Sequence, residues 1–181
     1  IDHGAGALPP SLAAAAGAPP GAVVVHAWRL AVAGGEGVRA LRVFPESSGG
    51  SAFAGLGPEA RWPEGLAPAS GDVDVGCCRL DDVAAALGEA ALFLKVSVGG
   101  AELEVLQGLG PDGWRRVQGL VVEVHGDIAL AAIRSLCAQA GLETKSSRQP
   151  ALPRVDAPSV HTLYARRPRP RGDVESSDAG L

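Results

Sequence analysis

A change of hydrophobic period between residues 92 and 126 constrains the fold of this chain more than any other feature. Leu92 to Val98 is an apolar run with β-branched residues, which is typical of a buried strand. Gly99 and Gly100 then interrupt the strand, and from Ala101 onward the apolar residues recur at intervals of three or four. That spacing places them on one face of a helix.

A second apolar run, Leu120 to Val124, follows this helix. Strand, helix and strand in immediate succession form a βαβ unit, whose strands are parallel and joined by a right-handed crossover. A further helix is predicted to begin at Asp127 and to end at Gly141, because these residue types are favoured at helix ends. The sequence therefore predicts an α/β fold.

The central run, LKVSVGGAELEVLQGL, resembles the C-terminal half of the FkbM-type methyltransferase domain, as do the preceding RLDDV and the following VVEVHG. The usual pattern of that family is L-K-I-D-V-E-G-A-E-x-x-V-L-x-G. This chain has Ser97 in place of the Asp and Gly99 in place of the first Glu. The residues that match the pattern include Lys95, Gly100, Ala101, Glu102, Val105, Leu106 and Gly108.

The resemblance implies a Rossmann-like methyltransferase sheet and transfer of a methyl group from S-adenosylmethionine to a hydroxyl of a small molecule or sugar. It implies parallel strands near residues 22–27, 92–98 and 120–125, and an antiparallel last strand near 160–166. The N-terminal strand and the glycine loop of such a sheet have no counterpart here. We therefore expect a partial domain over residues 1–166 with an incomplete cofactor site.

The remaining segments are assigned from their composition and their turn residues. Residues 45–76 are rich in Gly, Pro and Ser without a period, which predicts a long loop. Residues 33–37 are predicted to be the turn of a hairpin. Asp81 or Asp82 is predicted to cap the helix that follows it. The charged, aperiodic residues 167–181 are predicted to be a disordered tail.

Ligands of open parallel sheets bind outside the carboxyl ends of the strands, which points to Glu123 and His125. Strand alternation places these two side chains on one face, and histidine titrates near neutral pH. They are the predicted catalytic base and acceptor-positioning group, with a packed or surface imidazole as the alternative for His125. By the resemblance, Asp2 binds the cofactor ribose, unless it is a solvated terminal residue. Lys95 is expected to pair with a carboxylate such as Glu102.

Composition excludes several classes of function. A net charge of −4 gives no electrostatic basis for binding nucleic acid. Gly4 to Val25 is uncharged but contains four prolines, so no membrane span is predicted. The three cysteines form neither a disulfide framework nor a metal-ligand spacing, which favours a cytoplasmic protein without a metal. Because the sequence has no Met and begins with Ile1, we expect a processed chain or a fragment of a longer one.

Two functions remain open from the sequence. The first is an FkbM-like O-methyltransferase that is active as part of a longer chain on a small-molecule hydroxyl substrate. The second is a non-catalytic, methyltransferase-like module kept for binding or interaction. The sequence carries no signal for the identity of the substrate or for the oligomeric state.

Overall fold

The computed structural model describes residues 31–43, 52–53, 71–149 and 159–169. These residues form an α/β fold with two four-stranded sheets and four helices. In chain order the elements are β1 (Ala31–Ala33), β2 (Gly37–Val43), β3 (Ala52–Phe53), β4 (Gly71–Arg79), α1 (Leu80–Ala86), β5 (Leu92–Val96), α2 (Glu102–Gln107), α3 (Pro111–Arg116), β6 (Val117–His125), α4 (Asp127–Gln139), β7 (Glu143–Arg148) and β8 (Val160–Arg166).

The predicted βαβ unit is present. β5 pairs in parallel with β6, and α2 lies in the crossover between them. The structure adds the short helix α3 between α2 and β6. Gly110 is extended and Pro111 occupies the first helical turn, where the fixed φ of proline suits a helix start.

The second sheet has the strand order β5-β6-β8-β7. β8 is antiparallel to both β6 and β7, so the antiparallel last strand expected from the resemblance is confirmed. The helix predicted after β6 is also confirmed, although Gly126 is its N-cap and Asp127 is its first helical residue. Gly141 follows α4 with φ +74°, a conformation that favours glycine at a helix end.

The first sheet differs from the prediction. Its order is β1-β4-β2-β3, so the strands on either side of the turn at residues 34–36 do not pair with each other. β4 lies between them, parallel to β1 and antiparallel to β2. The predicted hairpin is therefore wrong within the described residues, and the strand expected near 22–27 lies outside them.

β4 also corrects the loop predicted over residues 45–76. Residues 71–76 belong to this strand, and β3 adds a short pairing at 52–53. The sequence signal was the alternation of Asp and Val from Asp72 to Val75, which continues into the buried Cys77 and Cys78. Cys77 packs with Ala33 of β1 and with Ala101 in a small buried cluster, and the glycine and proline content of the segment does not reveal this burial.

The two faces of β6 differ in burial, because one of them packs into the hydrophobic core. Its residues at alternate positions are buried, and α2 and α4 pack against that face. The opposite face carries Glu123 and His125, which are partly exposed. The buried side chains of β6, α2 and α4 that make up this part of the core are Leu120, Val122, Val124, Val105, Leu106, Leu130, Ile133 and Cys137.

Arg167 is bound to the fold, although the sequence predicted that a disordered tail starts there. Its backbone N–H donates to Gln118, and its guanidinium donates to three backbone carbonyls at 2.9–3.1 Å. These carbonyls terminate α3, begin β6 and follow α4, so one side chain ties three elements together. The accepting residues are Trp114, Val117 and Ala140. Residues 170–181 lie outside the described part, and a disordered tail there stays a prediction.

We expect Arg167→Ala to lower the free energy of unfolding by about 2 kcal/mol, because it leaves partly buried carbonyls without a donor. The melting temperature of a domain of this size should fall by about 4–8 °C. Arg166→Ala is the matched control, since Arg166 is 79% exposed and lies 3.7 Å from Glu143. That variant should lose less than about 1 kcal/mol in thermal or urea unfolding. Equal losses of stability in the two variants would contradict the conclusion that Arg167 ties the three elements together.

Candidate functional site

The carboxyl ends of β5 and β6 lie side by side, with Val96 opposite Val122. After β5 the chain turns through Gly99 and Gly100, whose φ angles are +61° and +104°. Glycine adopts these angles without the steric cost of a Cβ atom. The turn directs the chain into α2, whose first residue is Glu102.

The Glu102 carboxylate is buried at this turn, with 1% of its side chain exposed. Its Oε1 accepts hydrogen bonds from the backbone N–H groups of Val98 at 3.3 Å and Gly100 at 2.9 Å. Its position in the first turn of α2 also suits a negative charge. The second oxygen, Oε2, is buried and has no hydrogen-bond partner among the described residues.

The imidazole of His125 lies between two carboxylates. Its Nδ1 is 3.1 Å from Oε1 of Glu102, and its Nε2 is 3.9 Å from Oε1 of Glu123. The exposed fraction of the side chains rises from 1% at Glu102 to 22% at His125 and 41% at Glu123. We call these three residues the strand-end cluster. It runs from the core to the surface at the carboxyl end of β6.

The pKa values of the buried pair shift in opposite directions. The hydrogen bond to Glu102 raises the pKa of His125, and this outweighs the opposing effect of burial. Burial acts to raise the pKa of Glu102, but the hydrogen bonds from His125 and from the N–H of Gly100 lower it overall. Both shifts favour an ionised carboxylate beside a protonated imidazole.

The structure brings together Glu123 and His125, which the sequence selected. It does not pair Lys95 with Glu102, and that expectation is wrong. Lys95 is exposed, because its neighbours at alternate positions in β5 pack into the core and direct it to the opposite face. Asp2, the residue expected to bind the cofactor ribose, lies outside the described residues.

Glu102 is the member of the cluster whose role the sequence analysis missed. A signal was available, because Glu102 lies three and four positions before Val105 and Leu106 on the buried stripe of α2. An acidic residue within an apolar stripe has to be paired or neutralised. The partner, His125, is 23 residues further along the chain, and only the pairing of β5 with β6 brings it close.

The two aspartates at the start of α1 have structural partners. Asp82 accepts a hydrogen bond from the N–H of Arg79 at 2.8 Å, within its own helix start. Asp81 accepts one from the N–H of Gly110 at 2.8 Å, at the start of α3. The prediction that one of these residues caps α1 is confirmed for Asp82, which completes a capping box, whereas Asp81 joins the start of α1 to the start of α3.

The other reactive groups of the described residues offer less chemistry. The three cysteines are free and buried, and burial raises the pKa of Cys137 to about 11. A thiol of that kind is a poor nucleophile at neutral pH. No group of three or more His, Cys, Asp or Glu in the described residues has the geometry of a metal site. None of the described helices is long and apolar enough to cross a membrane.

Two backbone donors at the turn after β5 are not available to S-adenosylmethionine, the cofactor implied by the resemblance. A methionine carboxylate needs backbone donors, and a glycine turn at a strand end is where they would be sought. Here the N–H groups of Val98 and Gly100 already donate to Glu102. The strand-end cluster is suited instead to accepting a proton and holding a polar acceptor.

The sequence model of the methyltransferase FkbM domain family matches residues 20–142. The matched stretch contains both strands of the βαβ unit and all three residues of the strand-end cluster. No curated protein and no solved structure matches the chain.

The strand-end cluster should make the stability of the protein depend on pH. The raised pKa of His125 contributes stability that is complete below its ordinary value of 6.5 and is lost as the pH rises through the raised value. The lowered pKa of Glu102 contributes stability above 4.5 that is lost as the pH falls through the lowered value. The gap in melting temperature between the wild type and His125→Gln should therefore be widest between pH 4.5 and 6.5.

Thermal unfolding across this pH range measures the effect. Glu123→Gln is the control, because it leaves the contact between Glu102 and His125 in place and should keep most of the pH dependence. A gap between wild type and His125→Gln that does not change with pH would contradict the ion pair.

We expect the 181-residue chain by itself to bind S-adenosylmethionine with a dissociation constant in the millimolar range. Several polar contacts to the cofactor are missing from the described residues, and each is worth about 1–3 kcal/mol when left unmade. Such a loss takes a micromolar site to about millimolar. Titration calorimetry with the purified chain measures it, with S-adenosylhomocysteine as a second ligand. Low-micromolar binding would show that the chain contains a complete site.

Proposed function

The chain belongs to the methyltransferase FkbM domain family, and on that premise we propose that it is part of an S-adenosylmethionine-dependent O-methyltransferase. The proposed acceptor is a hydroxyl group of a small molecule or sugar. The observation that carries the proposal is that an imidazole and a carboxylate, those of His125 and Glu123, lie 3.9 Å apart at the carboxyl end of β6. Ligands of open parallel sheets bind at that edge.

Methylation of a hydroxyl oxygen requires that the oxygen lose its proton. A histidine is the side chain best matched to that task near neutral pH. In the proposed reaction His125 accepts the proton, and the electron pair of the O–H bond stays on the oxygen that becomes methylated. Glu123 accepts a hydrogen bond from the substrate and stabilises the imidazolium that forms beside it.

The exposure of the two side chains supports these roles. His125 is 22% exposed and Glu123 is 41% exposed, so a small molecule can reach both from solvent. Both stand on a strand that is paired on each side and packed against α2 and α4 on its other face. A rigid strand holds catalytic groups in place better than a loop does.

The pKa of His125 sets the expected dependence of the reaction on pH. The charged groups that act on its imidazole are Glu102 on α2 and Glu123 on β6, and both raise its pKa. Only the neutral imidazole can accept a proton, so methyl transfer should increase as the pH rises through the raised value. A base with a raised pKa also holds the transferred proton more firmly.

A second function is favoured by a specific observation at the end of β5. Ser97 and Gly99 occupy the positions of two carboxylates in the family pattern. Gly99 also adopts a positive φ, which suits glycine better than glutamate. A chain that has lost both carboxylates would serve as a binding module. Ligand binding without any turnover distinguishes this function from methyl transfer.

Substitution of the cluster tests the proposed reaction. His125→Ala should lower kcat for methyl transfer by about 10²–10⁴-fold, because the general base is removed. Glu123→Gln should have a smaller effect, since an amide oxygen still accepts a hydrogen bond. The assay follows the labelled methyl group of S-adenosylmethionine into a panel of monosaccharides and phenols, with the full protein.

Glu143→Gln is the matched control for Glu123→Gln. Glu143 is an exposed glutamate at the start of β7, outside the strand-end cluster, and its loss should leave turnover unchanged. Retention of turnover within threefold by His125→Ala would rule out His125 as the base. The binding-module function is supported by a different result, in which the wild type binds a ligand but methylates no acceptor of the panel.

A further inference from the structure

Glu102 is buried directly behind the imidazole that faces solvent. We infer that Glu102 is a positioning residue, which holds the proton of His125 on Nδ1 and leaves Nε2 as the atom that accepts the hydroxyl proton. The second half of this inference rests on the proposed function. The first half concerns only the tautomer of His125 and can be tested without any substrate.

Burial decides that Glu102 acts through His125. Only 1% of the Glu102 side chain is exposed, and the half-buried His125 lies between it and Glu123 on the outer side. A substrate that reaches Nε2 of His125 cannot also touch the buried carboxylate. Glu102 is therefore not a catalytic residue, and its influence on the reaction is the contact of 3.1 Å between Oε1 and Nδ1.

The hydrogen-bond chemistry of the contact determines the tautomer. An ionised carboxylate has only acceptors, so the hydrogen between Oε1 of Glu102 and Nδ1 of His125 must be carried by the nitrogen. A neutral imidazole has one N–H, and its Nε2 then presents a lone pair. At 3.9 Å from Glu123, this Nε2 is too far away for a hydrogen bond. The lone pair is thus free to accept a proton from a bound hydroxyl.

The backbone contacts of Glu102 do not explain why a charged side chain, instead of a neutral amide, occupies this buried position. Both N–H donors, from Val98 and Gly100, bind the same oxygen, and the carbonyl of a glutamine would accept them equally well. Burial of a carboxylate carries a large desolvation penalty unless its partners compensate. Oε2 is also buried without a partner among the described residues. The N–H of His125 binds this same oxygen, so what a carboxylate adds over an amide is the negative charge that stabilises the imidazolium of His125.

The proton transfer from the substrate to His125 leaves the protonation state of Glu102 unchanged. The O–H bond of the substrate breaks, an N–H bond forms at Nε2 of His125, and the electron pair remains on the oxygen. The imidazole becomes an imidazolium with protons on both nitrogens. Glu102 stays ionised and stabilises this positive charge, as carboxylates behind catalytic histidines do.

Nuclear magnetic resonance on the ¹⁵N-labelled full protein tests the tautomer. Long-range ¹H–¹⁵N correlation above the pKa of His125 should show one neutral form, with the proton on Nδ1. In Glu102→Gln the amide oxygen can still accept the N–H of His125 but carries no charge, so we expect the Nδ1 tautomer to persist and the pKa of His125 to fall. Glu104→Gln is the matched control. It removes another glutamate from the first turn of α2, one that pairs with Arg39 instead of His125.

Kinetic measurements on Glu102 variants distinguish a positioning role of this residue from a merely structural one. Glu102→Gln should lower kcat about 10–10³-fold with KM within threefold, and should move the rise of the pH profile to lower pH. Glu102→Asp, which keeps the charge, should restore part of kcat. If Glu102→Gln fails to fold, the tautomer of the wild type and the Glu102→Asp variant still decide the question.

Two results would overturn the inference. One is a wild-type His125 whose neutral form carries its proton on Nε2. The other is a folded Glu102→Gln protein whose His125 pKa and pH profile equal those of the wild type. Failure of the proposed function gives a different result, in which the Nδ1 tautomer is present and His125→Ala retains methyl transfer.

Discussion

The burial of one face of β6 and the partial exposure of the other form the constraint on which the rest of the structure depends. This strand pairs with β5 as far as Val122 on one side and with β8 from Gly119 to His125 on the other. Leu120, Val122 and Val124 are buried against α2 and α4, and the hydrophobic effect holds this face inward. Side chains alternate along a strand, so the same force directs Glu123 and His125 outward. The core thereby positions the site.

One buried charge links that core to the site. Glu102 begins α2 on the buried stripe, where its apolar neighbours anchor the helix. Its desolvation is offset by two backbone N–H groups, by the imidazole of His125 and by the start of the helix. These donors come from the turn after β5 and the end of β6, so they meet only when the two strands are paired. The turn, the helix start and the strand end are therefore mutually dependent.

Glycine at positions 99 and 100 has a consequence for function as well as for folding. The positive φ angles close the turn tightly enough for N–H groups to reach one carboxylate oxygen. The family pattern has a carboxylate at the first of these positions, and this chain does not. What remains at the strand ends is chemistry for handling a proton, with Glu123 and His125 on the outer side. The proposal of O-methyl transfer depends on that chemistry together with the family match.

The sequence by itself determined the βαβ unit, α4 and the position of Glu123 and His125 at the end of β6, whereas the antiparallel direction of β8 was expected from the family resemblance. Each depends on a local period or on motifs close together in the chain. The tertiary structure alone decided the insertion of β4 between β1 and β2, the contact between Glu102 and His125, and the binding of Arg167 to three elements. These features depend on partners far apart in sequence. Local patterns specify which face of an element is apolar, but the partner of a buried polar group is set by which elements pack together.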